Sequence, residues 1–161
     1  MAIVATQSPA AYLARLEALL TDVEQWSRAK GVITRRYASV LDEEAYGCYE
    51  ASGLQLLLGD GRLLATLVPV GASIIAAKGR VDLEGTVDRA ILVDWDPGGP
   101  VFETAIRIGD TMQTHTQAIY KGVKDSGWYW VESRELSRAH RLNESLFLDL
   151  LFLVSDYDLR P

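Results

Sequence analysis

Apolar and polar positions alternate with the period of a pleated strand through much of the chain, and the strongest hairpin signal lies in residues 54–70. Two apolar runs there flank Asp60-Gly61, a dipeptide that favours a tight hairpin turn. With those two residues as the loop, Leu58 faces Leu63, Leu57 faces Leu64, Leu56 faces Ala65, Gln55 faces Thr66 and Leu54 faces Leu67. Opposed residues share a face and successive residues alternate. One face is then entirely apolar (Leu54, Leu56, Leu58, Leu63, Ala65, Leu67), while the other mixes Leu57 and Leu64 with Gln55 and Thr66. This hairpin is expected at the centre of an antiparallel sheet, with any cleft or partner surface on the half-polar side.

Earlier in the chain the period changes. Tyr12, Leu16, Leu19, Leu20, Val23 and Trp26 recur at three- and four-residue spacing among Arg15, Glu17, Asp22, Glu24 and Arg28, which predicts an amphipathic helix. Ser8 is expected to cap it, Pro9 to take its first position and Gly31 to close it. Residues 32–40, rich in β-branched and aromatic groups, predict a strand ended by Asp42-Glu43-Glu44. A return strand follows over 45–50, and Ala51-Ser52-Gly53 reads as a turn. Pro69 cannot donate to a ladder, so the hairpin's second arm should end there or run along an edge. Residues 70–78 fit either a strand or a single helical turn.

Strands are predicted at 80–84 and 87–95, parted by Gly85-Thr86, with apolar Val81, Leu83, Val87, Ile91, Val93 and Trp95 at odd positions. Residues 96–100, with two prolines and two glycines, form a loop. Residues 101–108 alternate again, placing Phe102, Thr104, Ile106 and Ile108 on one side before a turn at Gly109-Asp110. Residues 111–116 are polar and 117–123 read as a strand. After Asp125-Ser126-Gly127, residues 128–131 form a strand with Trp128 and Trp130 on one face and Tyr129 and Val131 on the other. Residues 133–142 are expected as a loop with a helical turn. Asn143 or Ser145 then caps a helix whose residues 146–154 are apolar except for Asp149, so it should be buried on nearly all sides.

One helix, a run of strands and a second helix predict an α+β fold. The expected architecture is a single twisted antiparallel sheet of about six to eight strands, flanked by a long N-terminal helix and a buried C-terminal one. No linker or repeat divides the 161 residues, so one domain is expected.

Charge narrows the function mainly by exclusion. The chain carries 22 acidic against 16 basic residues, a net −6. Such a field repels phosphate backbones and anionic surfaces, so neither nucleic acid nor a membrane is an expected partner. No signal-peptide pattern is visible, and residues 146–154 are too few to span a bilayer. Cys48 stands alone, which suits a reducing compartment; a cytoplasmic location is expected.

Candidate chemistry is sparse. His115, His140 and Cys48 are scattered, so no metal site is expected. Cys48 with His115 is the one Cys–His pairing worth weighing as nucleophile and base, and Cys48 between Tyr46 and Tyr49 reads better as a small buried hydrophobe. Gly59-Asp60-Gly61 joins strands and has no helix N-terminus behind it to hold a phosphate. No catalytic residue and no cofactor is therefore assigned.

Two groups remain as a partner or ligand surface. Tyr120, Trp128, Tyr129 and Trp130 are either core or an exposed anchor, Trp and Tyr being enriched in binding hot spots. Lys121, Lys124, Arg134, Arg138 and Arg141 depart from the prevailing acidity, and Arg134, Arg138 and Arg141 would share a face if 134–141 were helical. The reading this favours is a non-catalytic protein-binding module of adaptor, inhibitor or immunity type, whose partner is a protein and could be a second copy. The alternative is a small-ligand binder or enzyme with a pocket between sheet and helix, lined by Tyr120, Trp128, Trp130 and His115.

Overall fold

The computed structural model describes residues 8–74 and 77–161. Its elements are α1 (Ala10–Arg28), β1 (Ile33–Glu43), β2 (Gly47–Leu57), β3 (Leu63–Gly71), β4 (Gly79–Gly85), β5 (Arg89–Trp95), β6 (Val101–Ile108), β7 (Thr111–Ala118), β8 (Gly127–Ser133), β9 (Arg138–Arg141) and α2 (Glu144–Ser155). The fold is α+β, as the order of periodicities predicts. Seven strands form an antiparallel sheet in the order β1-β2-β3-β4-β5-β8-β9, and β6 and β7 pair separately as a two-stranded sheet.

Strand register decides which side chains meet. The row Arg36, Leu54, Leu67, Leu83 and Ala90 runs across five strands. Its Leu and Ala members are buried with Leu16, Leu20 and Val23 of α1 and Phe147, Leu151 and Val154 of α2, so both helices cover this one face. Arg36 reaches from the sheet to α1, donating to Glu24 (2.8 Å) and to Glu17 (2.8 and 2.9 Å). Trp26 and Phe147 join the two helices, their ring centroids 5.7 Å apart. The adjacent row, Arg35, Gln55, Thr66, Glu84 and Arg89, turns the other way and is polar throughout.

The central hairpin keeps the expected pairs Leu54–Leu67, Gln55–Thr66 and Leu56–Ala65, then departs. Leu57 pairs with Leu63 rather than Leu64, through a bulge. The Leu58 N–H donates to the Arg62 carbonyl (2.8 Å), which leaves a three-residue loop. Gly61, with φ +89°, supplies the left-handed residue such a loop needs, and the Asp60 carboxylate braces it by accepting from the Arg62 N–H (2.9 Å) and guanidinium (3.0 Å). Leu63 consequently leaves the apolar face and is 45% exposed, whereas Leu64 is buried.

Ala51-Ser52-Gly53 is strand and not turn: β2 runs straight through it, with Gly53 paired to Tyr37. Pairing of β3 to β2 stops at Leu67, two residues short of Pro69, while its ladder to β4 continues to Gly71. Pro69 thus lies in an inner strand where its missing N–H has no partner to lose. Of residues 70–78, Val70 and Gly71 end β3 and Ile74 bridges Ala77; residues 75 and 76 lie outside the described part. The seven-stranded sheet is not split there.

Pro9 takes the N-cap position of α1, one residue earlier than expected, and Ser8 Oγ accepts from the Ala10 N–H (3.2 Å). At α2 the cap is Asn143, whose Oδ1 accepts from Leu146 (2.8 Å). Leu153 and Asp149 of that helix face solvent, so its burial is one broad face rather than all round. In its last turn the Val154 carbonyl accepts from the Val87 and Asp88 N–H groups (2.8 and 3.2 Å), docking the β4–β5 turn on α2.

Candidate functional site

Two features lie outside the helix-covered core, and the excursion between β5 and β8 contributes to both. The first is a cleft of about 810 Å³ on the sheet face away from the helices. In β5, Ile91, Val93 and Trp95 point to this side because Leu92 and Ala90 fill the helix side. Val131 of β8 extends the apolar floor, and Ile119 and Tyr120 roof it from the chain that returns out of β7. Trp95 packs against two tyrosines in tilted contacts, 4.8 Å from the Tyr120 centroid and 5.5 Å from that of Tyr129. The Tyr129 hydroxyl donates to the Asp125 carbonyl (2.7 Å), and the Arg141 guanidinium lies 5.9 Å over its ring.

Charge at the cleft is largely compensated. Arg80 forms a fork on Asp82 at 2.8 and 3.0 Å, and Arg89 approaches the same carboxylate at 3.7 Å. The Asp82 hydrogen bonds hold the Arg80 guanidinium above its ordinary pKa. Arg134 and Glu132 stand at the rim.

The second feature is the β6–β7 hairpin, an arm with nearly every side chain exposed. Gly109, with φ +63°, takes the first central position of a two-residue loop between the paired Ile108 and Thr111. Asp110 has no positive φ, which makes this a II′ turn whose twist suits a hairpin. The arm's foot is closed by Ile119 donating to the Pro100 carbonyl (3.0 Å) and Gly98 to that of Val123 (2.8 Å). Phe102, Ile106 and Ile108 share one face of β6 and are each more than half exposed. Their cross-strand partners Gln117, Gln113 and Thr111 are polar.

The residues singled out from sequence are dispersed. Tyr120 and Arg134 meet at the cleft, as roof and rim. Trp128 and Trp130 lie on the opposite, helix-covered face, partly buried against the main core. The Trp128 indole donates to the Arg15 carbonyl of α1 (3.3 Å), and Trp130 stacks on His140 at 5.7 Å. His115 sits on β7, exposed and paired with Thr104. Residues 134–141 are not helical: Ser133 to Arg138 is a tight reversal from β8 into β9, and Arg138 and Arg141 are strand residues. The helical face that would have joined the three arginines therefore does not form. A turn wins here because Ser133 Oγ accepts from the Leu136 N–H (3.1 Å) and Ser137 adopts φ +53°. Likewise 117–123 is no strand of its own; β7 ends at Ala118.

Cys48 is exposed on β2 and not a buried hydrophobe. The Asp42 charge beside it raises its thiol pKa, which disfavours the thiolate. Among the described residues no group of three or more His, Cys, Asp or Glu side chains could hold a metal ion, and no helix is long and apolar enough to cross a membrane. Compared with protein-family models, with curated proteins and with solved structures, the chain matches none of them.

Sequence reasoning passed over Trp95, Val93 and Ile91 as site residues. Their signal was present, since β5 reads apolar at both parities (Ala90 and Leu92 as well as Ile91, Val93 and Trp95), the mark of a strand covered on both sides.

Proposed function

We propose that the protein is a non-catalytic protein-binding module, of adaptor, inhibitor or immunity type, that engages its partner through the β6–β7 arm. The observation that carries this reading is the arm's exposed apolar stripe, Phe102, Ile106 and Ile108, on a two-stranded sheet with nothing packed against it among the described elements. A lone two-stranded hairpin is marginal in water, and an uncovered apolar edge is a template for further pairing. A partner chain supplies what the arm lacks. Its charges, Glu103, Arg107 and Asp110, are mixed in sign and do not favour a polyanion.

A photo-crosslinking amino acid in place of Ile106 tests this in the native source, with the same group in place of exposed Asp22 on α1 as control. One discrete product from position 106 alone, remade from the purified components, is the expected result. No product, or the same smear from both positions, would count against the arm as a binding surface.

The cleft favours a second reading, a small apolar ligand held against Ile91, Val93 and Val131 beside the Trp95–Tyr120 pair. Quenching or shift of Trp95 fluorescence by an apolar dye, abolished in Val93→Trp, would support it. Unchanged fluorescence at saturating dye would rule it out.

A further inference from the structure

Resting on the reading of the arm as a protein-binding surface, we propose that its partner is a second copy of this chain, joined by antiparallel pairing of β6 with β6. Both edges of the arm are open, since β6 pairs only with β7 among the described strands. Hydrogen-bonded and non-hydrogen-bonded pairs alternate along an antiparallel ladder, and a two-residue loop makes Ile108–Thr111 a hydrogen-bonded pair. The backbone groups of Phe102, Thr104, Ile106 and Ile108 are therefore used towards β7. Those of Glu103, Ala105 and Arg107 point to the free edge.

The side chains then select the register. A two-fold axis through Ala105 sets Glu103 opposite Arg107 of the other copy, twice. It also sets Phe102 opposite Ile108 and Thr104 opposite Ile106. No neighbouring register does this. Centring on residue 103 or 107 juxtaposes like charges, and centring on 104 or 106 leaves both charges facing Ala105 or chain outside the complementary pairs. The same axis brings the two apolar stripes side by side across the paired β6 strands, on one face of a four-stranded sheet. The β7 edge offers no such match: residues 111–118 carry no acidic or basic side chain apart from His115. Identical surfaces meeting about a two-fold axis form a closed dimer rather than a fibre. The edge is short, so the dimer is expected to depend on concentration.

Sedimentation of the full chain, in wild-type and charge-reversed forms, decides the matter. Wild type is expected to reach twice its 17.8 kDa at high micromolar concentration. Glu103→Arg and Arg107→Glu each place like charges at both crossing points and should weaken association about 10-fold or more. Mixing the two variants restores complementarity and should give a heterodimer, and the double variant Glu103→Arg/Arg107→Glu should dimerise on its own. Ala105→Pro, which removes an outward N–H and leaves the ladder to β7 intact, should be monomeric. A monomeric wild type, or a dimer indifferent to these changes, would overturn the proposal. A monomeric wild type that still crosslinks from position 106 to another protein would assign the edge to that protein and leave the arm's binding role standing.

Discussion

The ring of Tyr37 lies across the bare backbone of Gly53, its cross-strand partner, and its hydroxyl donates to the Leu67 carbonyl at 3.2 Å. A side chain on β1 thereby spans β2 and ties itself to β3. A methyl group on Gly53 would fall 2.1 Å from the Tyr37 ring. Gly53→Ala should therefore cost about 2 kcal/mol or more, the overpacking penalty for a site that must displace a ring. Urea unfolding measures it. In Tyr37→Ala the same glycine substitution should be nearly harmless, and equal costs in the two backgrounds would show that the ring is not the obstacle.

Glu43 fastens residues 72 and 73 to the end of β1, accepting from the Ala72 N–H (3.0 Å), the Ser73 N–H (2.7 Å) and the Tyr49 hydroxyl. Burial pushes its carboxyl pKa up, and the three donors together more than offset this, leaving it below the ordinary value of 4.5. A carboxyl whose pKa is lower when folded contributes stability above its unfolded pKa and loses it as pH falls through the folded value. Acid unfolding of wild type should accordingly be steeper below pH 4.5 than that of Glu43→Gln. The Ala72 and Ser73 amides should lose exchange protection in the variant at neutral pH. Superimposable acid curves would remove Glu43 from this role.

Arg15 and Asp94 show the opposite sign. Asp94 is 1% exposed with Arg15 Nη1 at 2.7 Å. Burial raises its pKa above the ordinary 3.8, against the lowering effect of Arg15. With the folded pKa raised, its contribution is present below pH 3.8 and declines as pH rises through the folded value. Removing Arg15 strands a buried charge, so Arg15→Ala should cost about 2 kcal/mol, less than a fully buried pair because Arg15 is 37% exposed. Asp94→Asn, which removes the charge that needs a partner, should cost clearly less. Thermal melts of both variants at neutral pH give the order, and the reverse order would contradict it.

Much of the scaffold was legible from periodicity because burial imposes it. The helix at Ala10–Arg28 carries its buried stripe at Tyr12, Leu16, Leu19, Leu20 and Val23, and β2 and β3 meet at Leu54–Leu67 as alternation requires. Long-range contacts account for what was misread. Gly53 looks like a turn residue until Tyr37 lies on it, and residues 133–142 read as a loop with a helical turn until the β9 edge claims Arg138–Arg141. The site was the least legible part. Alternation in residues 101–108 shows a strand, but nothing local shows that β6 and β7 leave the sheet uncovered. Nor could spacing show that Trp128 and Trp95 take opposite faces, which depends on the pairing of Asp94 with Trp128 and of Val93 with Tyr129.

Residue-resolved hydrogen exchange on the full chain, read at low and high protein concentration, tests the arm's role most directly. If the arm is the surface through which the protein associates, the outward amides of Glu103, Ala105 and Arg107 exchange quickly when dilute and become protected on concentration. The β3 and β4 amides of the seven-stranded sheet stay unchanged. Exchange along β6 that is equally slow at both concentrations, in a chain that sediments as a monomer, would contradict that role.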